Sequence, residues 1–287
     1  MNGTDSGPHR YDVRARGTRQ ARVSRSEVLA LGYHGVSECW RSDLAVAPDL
    51  FEWQLRLLLG RGYRGVTFHE AVTDPPRGPC MAITFDDGYR SVIELAFPIM
   101  RRLGVLGTVF VPTDHAGTEQ VMQWSGIEQW LGTSDERELM PMSWDELGQL
   151  ADSGWEIGSH TRSHPHLTQV DQARLTAELD GSHEACEDQL RRRCLSISYP
   201  YGDVDDRVVQ AARRAGYVAG AAMMPARTKP YSPLRWPRIG VFRPDGGWRF
   251  RLKTSPYDQT LRSSVAWRGG SHIRGALRRR ASRHRLC

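Results

Sequence analysis

The sequence predicts an α/β fold in which a parallel sheet closes into a barrel. Short apolar runs alternate with amphipathic helical stretches about seven times, which is the rhythm of repeated β/α units. The runs are apolar almost throughout, as strands covered on both faces must be. The 287 residues, 39% of them hydrophobic, also suit one large core, since α/β barrels commonly form a single domain of about 200 to 250 residues. In such a barrel the loops that follow the strands build the site.

The elements follow in order. Residues 28–36 (VLALGYHGV) form the first strand candidate. Pro48 suits a helix start, and Phe51, Leu55, Leu58 and Leu59 share one helical face until Gly60 and Gly62 stop it. A short strand is expected over 65–68. The run 81–85 (MAITF) stops at Asp86, Asp87 and Gly88; a helical pattern resumes at Ser91 and lasts to Gly104; 105–111 is another strand. The unit then repeats as helix 144–152, strand 155–159, helix 172–192, strand 195–199, helix 205–215 and strand 217–222. A last strand is expected around 238–242. One segment breaks the rhythm: residues 113–142 form a long insertion with Trp124, Trp130 and several acids, read equally as a lid or substrate wall and as a structural flap.

The expected organisation is a basic, disordered segment 1–27, a single catalytic barrel 28–250 and a basic tail 251–287. The formal charge of +6 divides unevenly. Residues 268–287 carry seven Arg and no acid, residues 1–27 carry six Arg against Asp5, Asp12 and Glu27, and the body between is acidic. No aromatic residues alternate with the C-terminal arginines, so the tails predict weak contact with anionic surfaces and no dedicated nucleic-acid partner. No stretch approaches the ~20 apolar residues of a membrane-spanning helix, and 1–27 holds no apolar run like a signal-peptide core. The expectation is a soluble, cytoplasmic protein. Cys39, Cys80, Cys186, Cys194 and Cys287 are odd in number, scattered and never in a CxxC pair, which argues against a disulfide framework and a thiolate zinc site.

The strongest chemical signal is Thr84-Phe85-Asp86-Asp87-Gly88-Tyr89. Two adjacent carboxylates at the end of an apolar strand raise one another's pKa unless a cation neutralises them. By itself an Asp-Asp-Gly triplet is equally an ordinary turn. The second signal, Ser159-His160-Thr161-Arg162-Ser163-His164-Pro165-His166, follows another strand. His160 and His164 have a spacing that can share one metal, although Pro165 disfavours helical geometry at His164 and puts the pair on a turn leading into a short helix. Two His and one carboxylate from separate strand ends make an open site for a divalent ion that leaves room for water and substrate. His166 is one imidazole more than such a site needs.

TFDDGY, SHTRSH and YPYG at residues 199–202 together resemble the polysaccharide deacetylase family, carbohydrate esterase family four, over residues 28–245 or so. The resemblance implies a distorted barrel of seven or eight β/α units and hydrolysis of N-acetylated amino sugars. It implies Asp86 as catalytic base and Asp87, His160 and His164 as ligands of a divalent ion, Zn2+ first, with Co2+, Ni2+ or Fe2+ as alternatives. It also implies a backbone N–H near Tyr201 beside the developing oxyanion; Tyr199, Tyr201 and Trp124 are the expected substrate contacts. Two positions depart from the family. Ser198 stands where the family has an Arg that steadies the base, and Arg238 in WPRIGV is the expected replacement. The family's usual acid, a His near the C-terminus, has only His272 and His284 as candidates. A branch with an N-terminal Tyr-His motif is matched by Tyr33-His34, making His34 the candidate acid; a core histidine bonded to backbone is the alternative.

A different carbon–nitrogen bond, in a small amide, imide or ureide, is the competing substrate. Trp124, Trp130 and Trp144 suit a sugar ring but are equally core fillers. A 2-His-1-carboxylate iron oxygenase would share the ligand set, yet oxygen chemistry has no use for the adjacent Asp86.

Overall fold

The structure, a computed structural model, describes residues 28–223 and 232–255. The basic segment 1–27 and most of the tail, with His272, His284 and Cys287, lie outside the described residues. The described residues open with β1 (Val28–Tyr33), β2 (Gly35–Val36), β3 (Ala45–Val46), α1 (Pro48–Gly60), β4 (Arg64–Val66) and α2 (Phe68–Thr73). It continues with β5 (Cys80–Phe85), a π-helical turn Val92–Ala96 running into α3 (Phe97–Arg102), β6 (Gly107–Val111), α4 (Trp144–Asp152), β7 (Glu156–Ser159) and α5 (Gln172–Leu190). β8 (Ser196–Ser198), α6 (Asp206–Arg214), β9 (Ala219–Ala222), β10 (Trp236–Pro237), β11 (Ile239–Gly240) and α7 (Gly247–Lys253) complete it.

Around the barrel the order is β11–β1–β5–β6–β7–β8–β9–β10, with β4 beside the first half of β5. Every one of these pairs is parallel. Closure depends on one short segment, 236–240. Its first half pairs with β9 (Trp236 with Ala221) and its second half with β1 (Leu31 with Ile239), so Arg238 sits where the segment changes partner. The expected last strand is therefore two half-strands, and they join the ends of the sheet.

Side-chain alternation separates two layers. Leu29, Leu31, Ile83, Phe85, Val109 and Val111 face the helices in the large outer core. Val28, Ala30, Ala82, Phe110, Ala219 and Ala221 fill the interior with Phe68 of α2, whose ring meets Phe110 edge-on at 5.6 Å. Small residues inside are what a narrow barrel can hold. Thr84 and Ser198, both fully buried, continue the inner parity toward the C-terminal rim, and Asp86 follows Thr84 by two residues.

Four expectations need correction. The run 28–36 breaks at His34: β1 belongs to the barrel, while β2 pairs with β3 in a separate two-stranded sheet. Phe68 ends no strand; Thr67 caps α2 by accepting the Glu70 N–H, and Phe68 opens the helix. The helix after Ser91 begins with wide π turns, ahead of Pro98, which cannot donate a rung to the ladder. α7 crosses the expected boundary at 250, because Phe250 is buried against Trp53 of α1 and anchors it to the barrel. Other starts are where local chemistry puts them: Ser143 and Glu146 form a capping box on α4, and Asp171 and Asp205 cap α5 and α6. Among the described residues no helix is long and apolar enough to cross a membrane, and Cys39, Cys186 and Cys194 are in no disulfide.

Candidate metal centre and active-site cleft

β5, β7, β8, β1 and the closing segment all deliver side chains to one rim. The ladder extends past the strands there: the Asp86 N–H donates to the Tyr33 carbonyl at 2.9 Å and the His160 N–H to the Val111 carbonyl at 2.8 Å. Asp87 then turns into the left-handed region (φ 70°), as do Thr161 and His164 (67° and 60°). Asp and His tolerate that region better than most residues, whereas a β-branched Thr is an outlier whose strain, roughly 1–3 kcal/mol, the surroundings must offset.

The turns bring three buried groups together. Asp87 Oδ1 lies 3.4 Å from His160 Nε2 and 3.4 Å from His164 Nε2, and the candidate ligand atoms all lie within 4.8 Å of one another. His160 Nδ1 is 2.7 Å from the Ser198 carbonyl; a hydrogen bond there makes Nδ1 the donor and leaves the Nε2 lone pair toward Asp87. The His164 ring is oriented by stacking, on Trp124 at 4.2 Å. Asp87 Oδ1 has no hydrogen-bond partner although it is buried. Burial would raise the pKa of Asp87, but His160 and His164 hold it well below the usual carboxylate range. A buried carboxylate oxygen without a partner, facing two imidazole nitrogens, fits a divalent cation such as zinc. The pair reaches Asp87 from an irregular loop. The short helix expected after it is absent, and α5 is the next helix.

Asp86 is held differently. Arg238 Nη1 and Nη2 donate to its Oδ1 and Oδ2 at 2.8 and 2.7 Å, and also to Thr84 Oγ1 at 2.7 Å and Ser198 Oγ at 2.8 Å. The guanidinium side chain is fully buried over the Phe110 ring. Burial pushes the Asp86 pKa up; the Arg238 charge and then His160 pull it down to about 2. Arg238 thus stands on Asp86, and Ser198, at the position of the family's arginine, accepts one of its bonds.

His34 occupies the break between β1 and β2 and lines the same cleft as Asp86 and Asp87. Its Nδ1 is buried without a hydrogen-bond partner, so the backbone bond of an ordinary core histidine is missing there. Tyr201 (φ 58°) is 42% exposed at the mouth, where its ring stacks on His166 at 3.9 Å. His166 is thereby occupied away from the trio, with Asp203 3.5 Å from its Nδ1. Burial, with the Asp87 charge, pushes the Tyr201 phenol up to about 12. Tyr199 lines the cleft too, but it is buried and its hydroxyl donates to the Leu234 carbonyl at 2.7 Å, which leaves a substrate only the ring.

The cleft has a volume of about 670 Å³. Trp124 and Trp130 of the insertion line it, whereas Trp144 packs against the outer core, its ring 2.8 Å from where a Cβ on Gly117 would stand. The insertion is both wall and structure. It is tied to the Asp-Asp-Gly turn by Met142 N–H to the Gly88 carbonyl and Arg90 N–H to the Met140 carbonyl, and it shares a core with Trp40 and Tyr89. Arg41, Asp43, Met223 and Phe242 also line the cleft and escaped the sequence reading as site residues. Phe242 was findable, since it ends the last expected strand.

Strand ends of a parallel barrel that gather an Asp-His-His trio beside an arginine-clamped aspartate define a β/α-barrel protein with a site able to hold a divalent ion. The comparisons narrow this. The family model "Polysaccharide deacetylase" matches residues 73–220, just over half of the chain, and the chain belongs to that family. A 200-residue stretch is 25% identical to YxkH of Bacillus subtilis (strain 168), covering 68% of this chain and 64% of that one, so the match spans less than two thirds of this relative. The poly-beta-1,6-N-acetyl-D-glucosamine N-deacetylase of Staphylococcus aureus (strain MRSA252) is 22% identical over 241 residues, 75% of this chain and 78% of its own. Among solved structures, BC0361 of Bacillus cereus shares the fold with a TM-score of 0.65 at 24% identity, covering 79% of this chain and 69% of that one.

Proposed function

We propose that this chain is a divalent-metal-dependent N-deacetylase acting on an N-acetylated amino sugar, in a polysaccharide, a lipid-linked glycan or a nucleotide-linked sugar. The observation that carries the reading is the unpartnered Asp87 oxygen facing His160 and His164, next to an Asp86 that Arg238 keeps ionised. Family membership supports it, as does similarity to a relative named for de-N-acetylation of poly-β-1,6-N-acetylglucosamine. The aromatic cleft favours a sugar ring over a small amide or ureide.

Asp87, His160 and His164 hold the ion, with Zn2+ as the first choice from this donor set and Co2+, Ni2+ or Fe2+ as alternatives. When bound, it supplies Lewis-acid polarisation of the amide carbonyl and acidification of water. Asp86 takes the proton of the attacking water, and Arg238 keeps both carboxylate oxygens oriented for that transfer. Trp124 and Tyr201 contact the sugar, and the Tyr199 ring completes the wall. His34 gives a proton to the leaving amine, as the resemblance of Tyr33-His34 to the branch with the N-terminal Tyr-His motif implies. Acetate and a free amine are the products.

The test is acetate release, with free amine measured in step, from a panel of polymeric, lipid-linked and nucleotide-linked N-acetyl sugars. Activity is expected to vanish with a chelator and return with Zn2+ or Co2+. Turnover that survives complete metal removal would overturn the proposal. The acid has its own test. His34→Gln is expected to bind metal normally and to lose about 10²–10⁴ in amide turnover, but far less with an activated ester whose leaving group needs no proton. Equal losses on both substrates, or a loss seen instead in His272→Gln, would remove His34 from that role.

A further inference from the structure

α5 runs beneath the loop that joins His160 to His164 and presents two polar side chains to it about one turn apart. Ser182 Oγ bonds Ser159 Oγ at 2.8 Å, and Ser159 Oγ accepts the Thr161 N–H at 3.0 Å. Glu178 does more. Its Oε2 accepts the backbone N–H groups of Arg162 and Ser163 at 3.0 and 2.9 Å, and its Oε1 accepts the Ser163 hydroxyl at 2.5 Å. Arg174 Nε is 3.8 Å from Oε1.

This acid is only 6% exposed, on a helix face otherwise made of Leu175, Leu179, Ser182 and Cys186. Burying a carboxylate is costly unless its lone pairs are used, and here all three hydrogen-bond donors come from the two residues that separate Thr161 from His164. Those flanking residues are the two with positive φ in the loop. The helix is shaped for the same contact: a Cβ on Gly181 would come within 2.7 Å of the Arg162 Cδ, so glycine there lets the Arg162 stem lie against α5.

We propose that Glu178 is a positioning residue for the metal centre: by fixing the backbone of residues 162–163 between the positive-φ residues Thr161 and His164, it holds His164 at the distance from His160 that one ion requires. The inference rests on the metal-dependent reading above. Removing the carboxylate leaves the strain unopposed, so the loop relaxes and His164 moves while the barrel stays intact.

The experiment uses the full chain stripped with chelator and titrated with Zn2+ by calorimetry and with Co2+ by visible absorption, which reports ligand geometry. Glu178→Ala is expected to weaken binding about 10–100-fold, as loss of an outer-shell partner does, and to change the Co2+ spectrum. Glu178→Gln, whose carbonyl oxygen can still accept both N–H groups, should stay within a few-fold of wild type. Leu175→Ala, on the same face, should lower the melting temperature of the metal-free protein without weakening metal binding. If Glu178→Ala does not fold, Glu178→Met, which keeps the volume and offers no oxygen acceptor, reads the same quantity, with about tenfold weakening expected. Affinity within twofold of wild type in Glu178→Ala or in Glu178→Met overturns the inference, as does equal weakening in Leu175→Ala. A wild type that binds no ion overturns the metal reading itself, and the inference with it.

Discussion

Asp87→Ala and Asp86→Asn are expected to fail in different ways although the residues are neighbours. Asp87 contributes the one oxygen shared by both imidazoles, so Asp87→Ala should lose the divalent ion, and amide hydrolysis should fall to background. Asp86 is turned into the Arg238 fork, which holds both of its oxygens by hydrogen bonds, while His160 acts on it through charge. Asp86→Asn keeps the shape and removes the proton acceptor. It should hold about one equivalent of metal while losing about 10²–10⁴ in rate, the range expected of a general base. Elemental analysis beside single-turnover rates distinguishes the two, and equal metal loss in both variants would mean that the roles are misassigned.

Arg238→Met should produce the largest change in stability. The guanidinium makes four hydrogen bonds inside the barrel, two of them to Asp86, and its removal leaves a buried carboxylate facing apolar surface. Breaking a buried pair from one side costs roughly 3–5 kcal/mol, well beyond the usual effect of a point substitution. The pH dependence has a definite sign. The folded-state pKa of Asp86, about 2, lies below its ordinary value of 3.8, so the group stabilises the fold above pH ~4. That contribution, on the order of 2 kcal/mol, is lost as pH falls from about 4 toward 2. In Arg238→Met the acid-side loss should shrink, because burial, which raises the pKa, then meets less opposing charge. Denaturant unfolding across that pH range measures both effects, and the Asp86→Asn background should remove much of the cost of Arg238→Met. Additive costs in the double variant would show that the two side chains are not coupled.

Much of this site was legible because its signals are local. An apolar run that stops at Asp86 and Asp87 puts carboxylates at a strand end, and a run ending in Ser159 does the same for His160, whatever the rest of the chain does. Apolar spacing after Pro48 likewise placed α1, and the repeat of the β/α unit placed α4 at 144–152. The errors fall where tertiary packing overrides pattern. Phe68 looks like strand because it is apolar, but the barrel needs a plug and α2 supplies it. The apolar run 28–36 looks continuous, but the sheet ends at Tyr33 and the chain turns at His34.

By itself the sequence determined which chemistry is available: two carboxylates and two imidazoles, each set at or within a few residues past a strand terminus by the apolar run before it. Only the tertiary structure decided which of them share a space. Arg238 meets Asp86 across 152 residues of chain because segment 236–240 changes partner there to close the barrel, and Glu178 meets the histidine loop because α5 packs beneath it. Period and propensity are set within a few turns of backbone, whereas these contacts depend on closure of the whole sheet, a long-range condition that no local pattern encodes.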